Sequence, residues 1–193
     1  MGMGTDDQIL KDVLIYKQKF DYPVFIETGT YAGTTSKIVS KYFDKVYTCD
    51  VSEDEAEARE EKFKDVTNIN FMLADSRDAL PKFLTEIGND KFFLFLDAHW
   101  HGHFPVLEEL QIVADFGYKP FIFIHDFYCG HEGWLYDSSE TGEKLDYDYV
   151  KEKMDLIYGV DNYVFEVSQF SNNESNGTGL PNLRGCGFFY PKI

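Results

Sequence analysis

The chain has 193 residues and a formal charge of −16, set by 34 acidic against 18 basic side chains. That length supports one domain, 1–193, with a sizeable core. The acidic excess argues against polyanionic partners, so neither nucleic acid nor an anionic membrane surface is expected.

In chain order, the segment 1–20 predicts a helix over about 6–19. Residues 23–28 form a β-branched and aromatic run ending Glu27-Thr28, and a turn with Gly29 and Gly33 opens a helix over 33–43. A second strand, 45–50, closes on Asp50, 21 residues after Gly29, and a charged helix follows at 53–64. Strands at 69–74, 92–97 and 120–125 alternate with helices at 76–87 and 104–116. A long loop fills 127–146, a helix covers 147–158, and strands at 162–169 and 186–191 end the chain.

Runs such as Phe92-Phe-Leu-Phe-Leu96 are continuously apolar, as in a parallel sheet covered on both faces. Five strand–helix alternations predict an α/β, doubly wound, Rossmann-like architecture. The last two strands have no helix between them and read as an antiparallel hairpin at the sheet edge. The Ser/Asn/Gly-rich piece 171–179 reads as a flexible surface connection. Cys49, Cys129 and Cys186 are odd in number and widely spaced, so no disulfide framework is expected. With neither a signal-peptide pattern nor an apolar run of about 18 residues, a soluble, reducing, cytoplasmic setting is expected.

The first turn reads Glu27-Thr-Gly-Thr-Tyr-Ala-Gly33, which is not the Gly-x-Gly-x-x-Gly of pyrophosphate sites. A carboxylate at Glu27 is unfavourable beside a pyrophosphate and favourable near an amine or sulfonium. The hydroxyl of Thr30 can face a ligand or serve the turn, and Asp50 is placed to take a ribose diol. Asp75, followed by Ser76, can face a base or cap the helix after it. All these groups fall at C-terminal strand ends, where open α/β sheets bind ligands.

These motifs resemble those of class I S-adenosylmethionine-dependent methyltransferases. The matching pieces are Glu27 to Gly33, Asp50, Leu73-Ala-Asp-Ser76, Phe95-Leu-Asp-Ala-His-Trp100 and the terminal strand pair. The resemblance implies a mostly parallel seven-stranded sheet of order 3-2-1-4-5-7-6 with a C-terminal antiparallel hairpin. It implies that Glu27, Gly29 and Thr30 bracket the methionine end of the cofactor and that Gly33 permits close packing. Asp50 would hold the ribose, Asp75 and Ser76 would lie by the adenine, and Asp97 would lie at the fourth strand. The Phe95–Trp100 motif is also similar to a branch of small-molecule and sugar O-methyltransferases, macrocin-type or FkbM-like.

A second cluster comprises Asp97, His99, His101 and His103, with His125 and Asp126 after the fifth strand. If strands four and five are adjacent, Asp97, His99, His125 and Asp126 converge and offer donors to a divalent cation: magnesium, manganese or zinc. Metal-dependent catechol-type O-methyltransferases are similar here, although Phe127 stands where a further ligand would be expected. A metal-free alternative makes His99 or His125 the general base; in the leading reading Asp126, Asp97 and a His organise the acceptor hydroxyl. The bland alternative leaves the histidines as surface or capping groups.

The loop 127–147 holds Tyr128, Trp134 and Tyr136 between Gly130, Gly133 and Gly142, and reads as a lid or wall for the acceptor. Tyr16 and Phe20 of the first helix offer a second wall, and Trp100 a stacking surface. The absence of a large recognition domain favours a small-molecule acceptor or a homodimer partner completing the pocket. The leading expectation is methyl transfer to a small-molecule hydroxyl. The competitors are a non-catalytic or degenerate nucleoside-binding domain, a nicotinamide-dependent oxidoreductase and a metal-dependent hydrolase.

Overall fold

The computed structural model describes residues 7–99, 103–139, 141–168, 172–175 and 181–192; Trp100 and His101 lie outside them. The elements are α1 (Asp7–Phe20), β1 (Val24–Thr28), α2 (Thr34–Val39), β2 (Lys45–Asp50), α3 (Ala56–Phe63), β3 (Ile69–Leu73), α4 (Ser76–Ile87) and β4 (Phe92–Leu96). They continue with α5 (Val106–Phe116), β5 (Phe121–Ile124), α6 (Tyr147–Tyr158), β6 (Tyr163–Val167), β7 (Asn172–Ser175), β8 (Pro181–Arg184) and β9 (Gly187–Pro191).

Seven strands form one sheet in the order β3-β2-β1-β4-β5-β9-β6. The first five are mutually parallel, and β9 runs antiparallel to both β5 and β6. Numbered within that sheet, the order is the expected 3-2-1-4-5-7-6. The connection after β6 departs from expectation: β7 and β8 pair antiparallel as a separate two-stranded ribbon. The helix expected over 33–43 also stops early. Asn68 Nδ2 donates to the carbonyls of Ser40 and Phe43 (2.9 and 2.8 Å) and satisfies the chain where α2 ends.

Alternation along the central strands divides the core into two faces. Phe92, Leu94 and Leu96 of β4 join Ala79, Leu80 and Leu84 of α4, Leu110 and Val113 of α5, and Met154 of α6. Phe93 and Phe95 point the other way, among Phe25, Val39, Phe43, Phe121, Phe123, Phe188 and Tyr190. Phe93 stacks on Phe121 and Phe95 on Phe123, both with ring centroids 4.8 Å apart. Tyr16 and Phe20 pack on Phe121 and Tyr190, so α1 closes this core face.

At the far edge, β3 pairs with β2 alone among the described residues, and Phe71 and Leu73 remain exposed. At the centre, the register Glu27–Phe95 and Thr28–Leu96 between β1 and β4, with Leu96–Ile124 between β4 and β5, brings the strand ends out side by side. The connections after β1 and β4 therefore leave the sheet as neighbours at its topological switch point, where such sheets bind ligands.

Candidate functional site

The loop from β1 to α2 is welded to the sheet. The Cys49 carbonyl accepts from both Gly29 N and Thr30 N (3.0 Å each). Gly29 has φ +88°, and a Cβ there would stand 2.4 Å from the Asp97 carbonyl oxygen, so only glycine lets this loop approach β4. Gly33 (φ +74°) likewise lets the loop lie on Phe63 of α3, 2.6 Å from where a Cβ would be. Thr30 is buried, with Oγ1 2.6 Å from Thr48 Oγ1.

Glu27 lies beneath this loop, 1 % exposed, and its carboxyl accepts hydrogen bonds from Ser36 Oγ and Thr48 Oγ1. Burial pushes its pKa up to about 8, against the lowering influence of those hydroxyls. The residue braces the loop from below and is not among the cleft-lining groups.

Above the strand ends lies a cleft of about 180 Å³. Gly29, Asp50, Asp75, Ser76, Asp97 and His99 all line it. Asp50 accepts from Tyr31 N (2.6 Å) and Ser52 N (2.8 Å), which fixes its carboxylate and leaves lone pairs for a further donor. Asp75 caps α4, accepting from Arg77 N at 2.9 Å, and also pairs with the Arg77 guanidinium. That pairing holds its carboxyl below the usual range. Both readings of Asp75 thus coexist: it caps the helix and faces the cleft.

A water-sized cavity of about 10 Å³ adjoins the cleft and shares Asp97, Ala98 and His99 with it. His125, Asp126, Asp137 and Glu109 complete its polar lining. His125 Nδ1 lies 2.9 Å from Asp97 Oδ1 and 3.2 Å from Asp126 Oδ1. Asp126, 4 % exposed at φ +53°, pairs through Oδ2 with Arg184 Nη1 at 2.5 Å, while its Oδ1 has no hydrogen-bond partner among the described residues. Burial raises the Asp126 carboxyl, but the charges of His125 and Arg184 outweigh it and hold the group below its ordinary range. Burial pushes Glu109 up to about 7 against the lowering influence of the Ser76 and Thr28 hydroxyls, and among the described residues its Oε1 has no hydrogen-bond partner.

Asp97, His99 and Asp126 each offer a ligand atom within 4.8 Å of the others. Two carboxylates and an imidazole suit a divalent cation, and Asp126 Oδ1, which has only the ion-pair contact with His125 among the described residues, is consistent with one. His125 touches Asp97 and Asp126 and is not a member of this triad. Phe127 is buried against Phe165 and Phe189 and supplies no donor.

No protein-family model matches the sequence, and neither does any curated protein sequence. Solved structures do match in three dimensions. An O-methyltransferase of tomaymycin synthesis from Streptomyces achromogenes, determined with S-adenosylmethionine, superposes with a TM-score of 0.69 at 14 % identity, covering 98 % of this chain and 82 % of that one. An rRNA methylase from Streptococcus thermophilus gives 0.58 at 14 %, covering 100 % of both chains. The chain has the class I S-adenosylmethionine-dependent methyltransferase fold. A precorrin-8w decarboxylase from Methanobacterium thermoautotrophicum shares the architecture as well, with a TM-score of 0.58 at 12 % identity over 100 % of this chain and 93 % of that one.

On this methyltransferase fold, several site residues have no signal in the sequence. Arg59 of α3 is 3 % exposed, lines the cleft, and donates to the carbonyls of Tyr31 (2.7 Å) and Ser52 (2.9 Å). Lys62 of the same helix donates to the Ala32 carbonyl at 2.8 Å. Together they staple the first loop to α3. Glu109 lines the cavity and Arg184 arrives from β8, whereas His103, already named beside His99 and His101, lines the cleft. The 127–147 loop is folded back on itself: Asp137 N bonds the Asp126 carbonyl (2.9 Å) and Tyr128 N the Leu145 carbonyl (2.8 Å). It contributes Asp137 and Leu145 to the cavity, while Tyr128 and Tyr136 pack edge to face and Trp134 packs on His131. Among the described residues no helix is long and apolar enough to cross a membrane.

Proposed function

We propose that the protein transfers the methyl group of S-adenosylmethionine to a hydroxyl of a small-molecule acceptor, assisted by a divalent cation. One observation carries this reading: the cleft lined by Gly29, Asp50 and Asp75 shares Asp97 and His99 with a water-sized acidic cavity. Asp50 would take the ribose hydroxyls, and Asp75 and Ser76 the adenine edge. Gly29 and Thr30 would lie along the methionine end, with Glu27 acting on it through the loop it braces.

When bound, the cofactor supplies an electrophilic methyl carbon and the cation favours the deprotonated acceptor hydroxyl. Asp97, His99 and Asp126 would hold the cation. The 10 Å³ cavity admits one small group, so the acceptor would present its oxygen there and keep its body outside. Much of the rate gain then comes from holding that oxygen in line with the methyl carbon. The O-methyltransferase among the similar structures and the resemblance of Phe95–Trp100 to small-molecule O-methyltransferases support a small hydroxylic acceptor.

A metal-free form of the same reaction has one observation in its favour. The contact between His125 Nδ1 and Asp97 Oδ1 is the arrangement that orients an imidazole as a base. In that form His99 or His125 accepts the hydroxyl proton.

Calorimetric titration of metal-stripped protein with S-adenosylmethionine and S-adenosylhomocysteine, repeated with magnesium, manganese and zinc, tests the reading. Micromolar binding of either nucleoside is the expected result. Metal binding that disappears in Asp126→Ala would favour the cation-assisted form, and metal-independent turnover the histidine base. No nucleoside binding under any condition would overturn the methyltransferase reading.

A further inference from the structure

The cation-assisted reading, on which this inference rests, leaves one charged group unexplained. Arg184 Nη1 sits 2.5 Å from Asp126 Oδ2 and 3.8 Å from Asp137 Oδ1, and its side chain is only a quarter exposed. It therefore places a full positive charge on the same carboxylate that would ligate a divalent ion. Its strand, β8, is outside the seven-stranded sheet and pairs with β7. Among the described residues, its backbone meets the 127–147 loop at an isolated bridge between Leu135 and Arg184 and, one residue beyond the strand, where Phe127 N donates to the Gly185 carbonyl at 3.1 Å.

We propose that Arg184 is a tethered counter-ion that competes with a divalent cation for Asp126, so that the β7–β8 ribbon docks on the metal-free site and is released when the cation binds. Two opposing effects decide the sign. A hydrogen bond to a ligating carboxylate can orient it, and losing such a partner weakens metal binding by roughly 10- to 100-fold. Here the partner is itself a cation. A divalent ion bound to Asp126 would lie within a few ångströms of the guanidinium, in a cavity where water screens little, and that repulsion exceeds the orienting gain. The φ of +53° and near-complete burial fix Asp126, so it needs Arg184 little for its orientation. Arg184 brings the competing charge from a strand that belongs to the two-stranded ribbon and not to the main sheet.

Titration of the full chain with Mn²⁺, for wild type, Arg184→Gln and Arg184→Lys, tests the proposal by affinity and without reference to activity. Arg184→Gln should bind Mn²⁺ at least about tenfold more tightly, and Arg184→Lys, which keeps the charge, close to wild type. Should Arg184→Gln fail to fold, amide hydrogen exchange of residues 182–184 in wild type decides alone: Mn²⁺ should accelerate it. Equal or weaker Mn²⁺ binding by Arg184→Gln, no Mn²⁺ binding by any of the three, or unchanged or slower exchange overturns the proposal. S-adenosylhomocysteine binding in the same samples separates the two levels: if it persists while Mn²⁺ behaves otherwise, the inference alone fails.

Discussion

Gly29 is the residue on which the cleft turns. A methyl group there meets the Asp97 carbonyl at 2.4 Å in a backbone conformation that L residues avoid. Gly29→Ala should cost about 2–4 kcal/mol of stability, from left-handed strain plus overpacking. Urea denaturation measures that cost, and S-adenosylhomocysteine titration should show weakened binding as the loop is pushed off β4. Glu27 makes a different prediction, in pH. Its folded pKa of about 8 lies above its ordinary 4.5, so between those values the folded state keeps a proton that the unfolded state has lost. Stability from this group is therefore full below about pH 4.5 and declines as pH rises toward 8, with a slope approaching about 1.4 kcal/mol per pH unit. Glu27→Gln removes that slope, so the variant should gain on wild type steadily across the window; parallel stability–pH curves would refute the assignment. The positions of Gly29, Asp50, Asp97 and Asp126 were legible because each ends a strand. The inward turn of Glu27 was not, because its donors, Ser36 and Thr48, lie nine and 21 residues away.

At the scale of elements, helices with strong punctuation were read to the residue. In α4 the Asp75 cap and the following Gly88 set the limits, and in α6 the Asp146 side chain accepts from Tyr149 N before Gly159 ends the helix. The early stop of α2 depends on Asn68, which no local pattern reveals. The β7–β8 ribbon was illegible because its Asn/Ser/Gly composition carries no strand alternation. The helix α3 reads as a charged helix, yet Arg59 is buried in it, and nothing in Ala-Glu-Ala-Arg-Glu-Glu-Lys-Phe distinguishes that arginine from its charged neighbours. Arg59→Met should remove the staple between the loops after β1 and β2. The expected cost is roughly 2–3 kcal/mol for lost charge-assisted hydrogen bonds, with a parallel loss of nucleoside affinity. Paired denaturation and titration would show it; unchanged affinity at reduced stability would make Arg59 purely structural.

For the whole molecule, the sheet order was within reach because apolar runs, helix spacing and the terminal strand pair agree on one topology. The assembly of the acid cavity was less so. It draws on the ends of β4 and β5, on α5 through Glu109 and on the 127–147 loop through Asp137, with Arg184 arriving from the ribbon. The outermost strand has its own consequence. Phe71 and Leu73 of β3 are 37 % and 46 % exposed on an edge strand that is unpaired on its outer side among the described residues and offers a template to another copy. The charge of −16 then acts as a colloidal barrier, holding such edges apart by long-range repulsion. In 1 M salt the screening length falls to about 3 Å. Light scattering should therefore report self-association at high ionic strength and dispersed monomers at low, and Phe71→Lys should suppress the association.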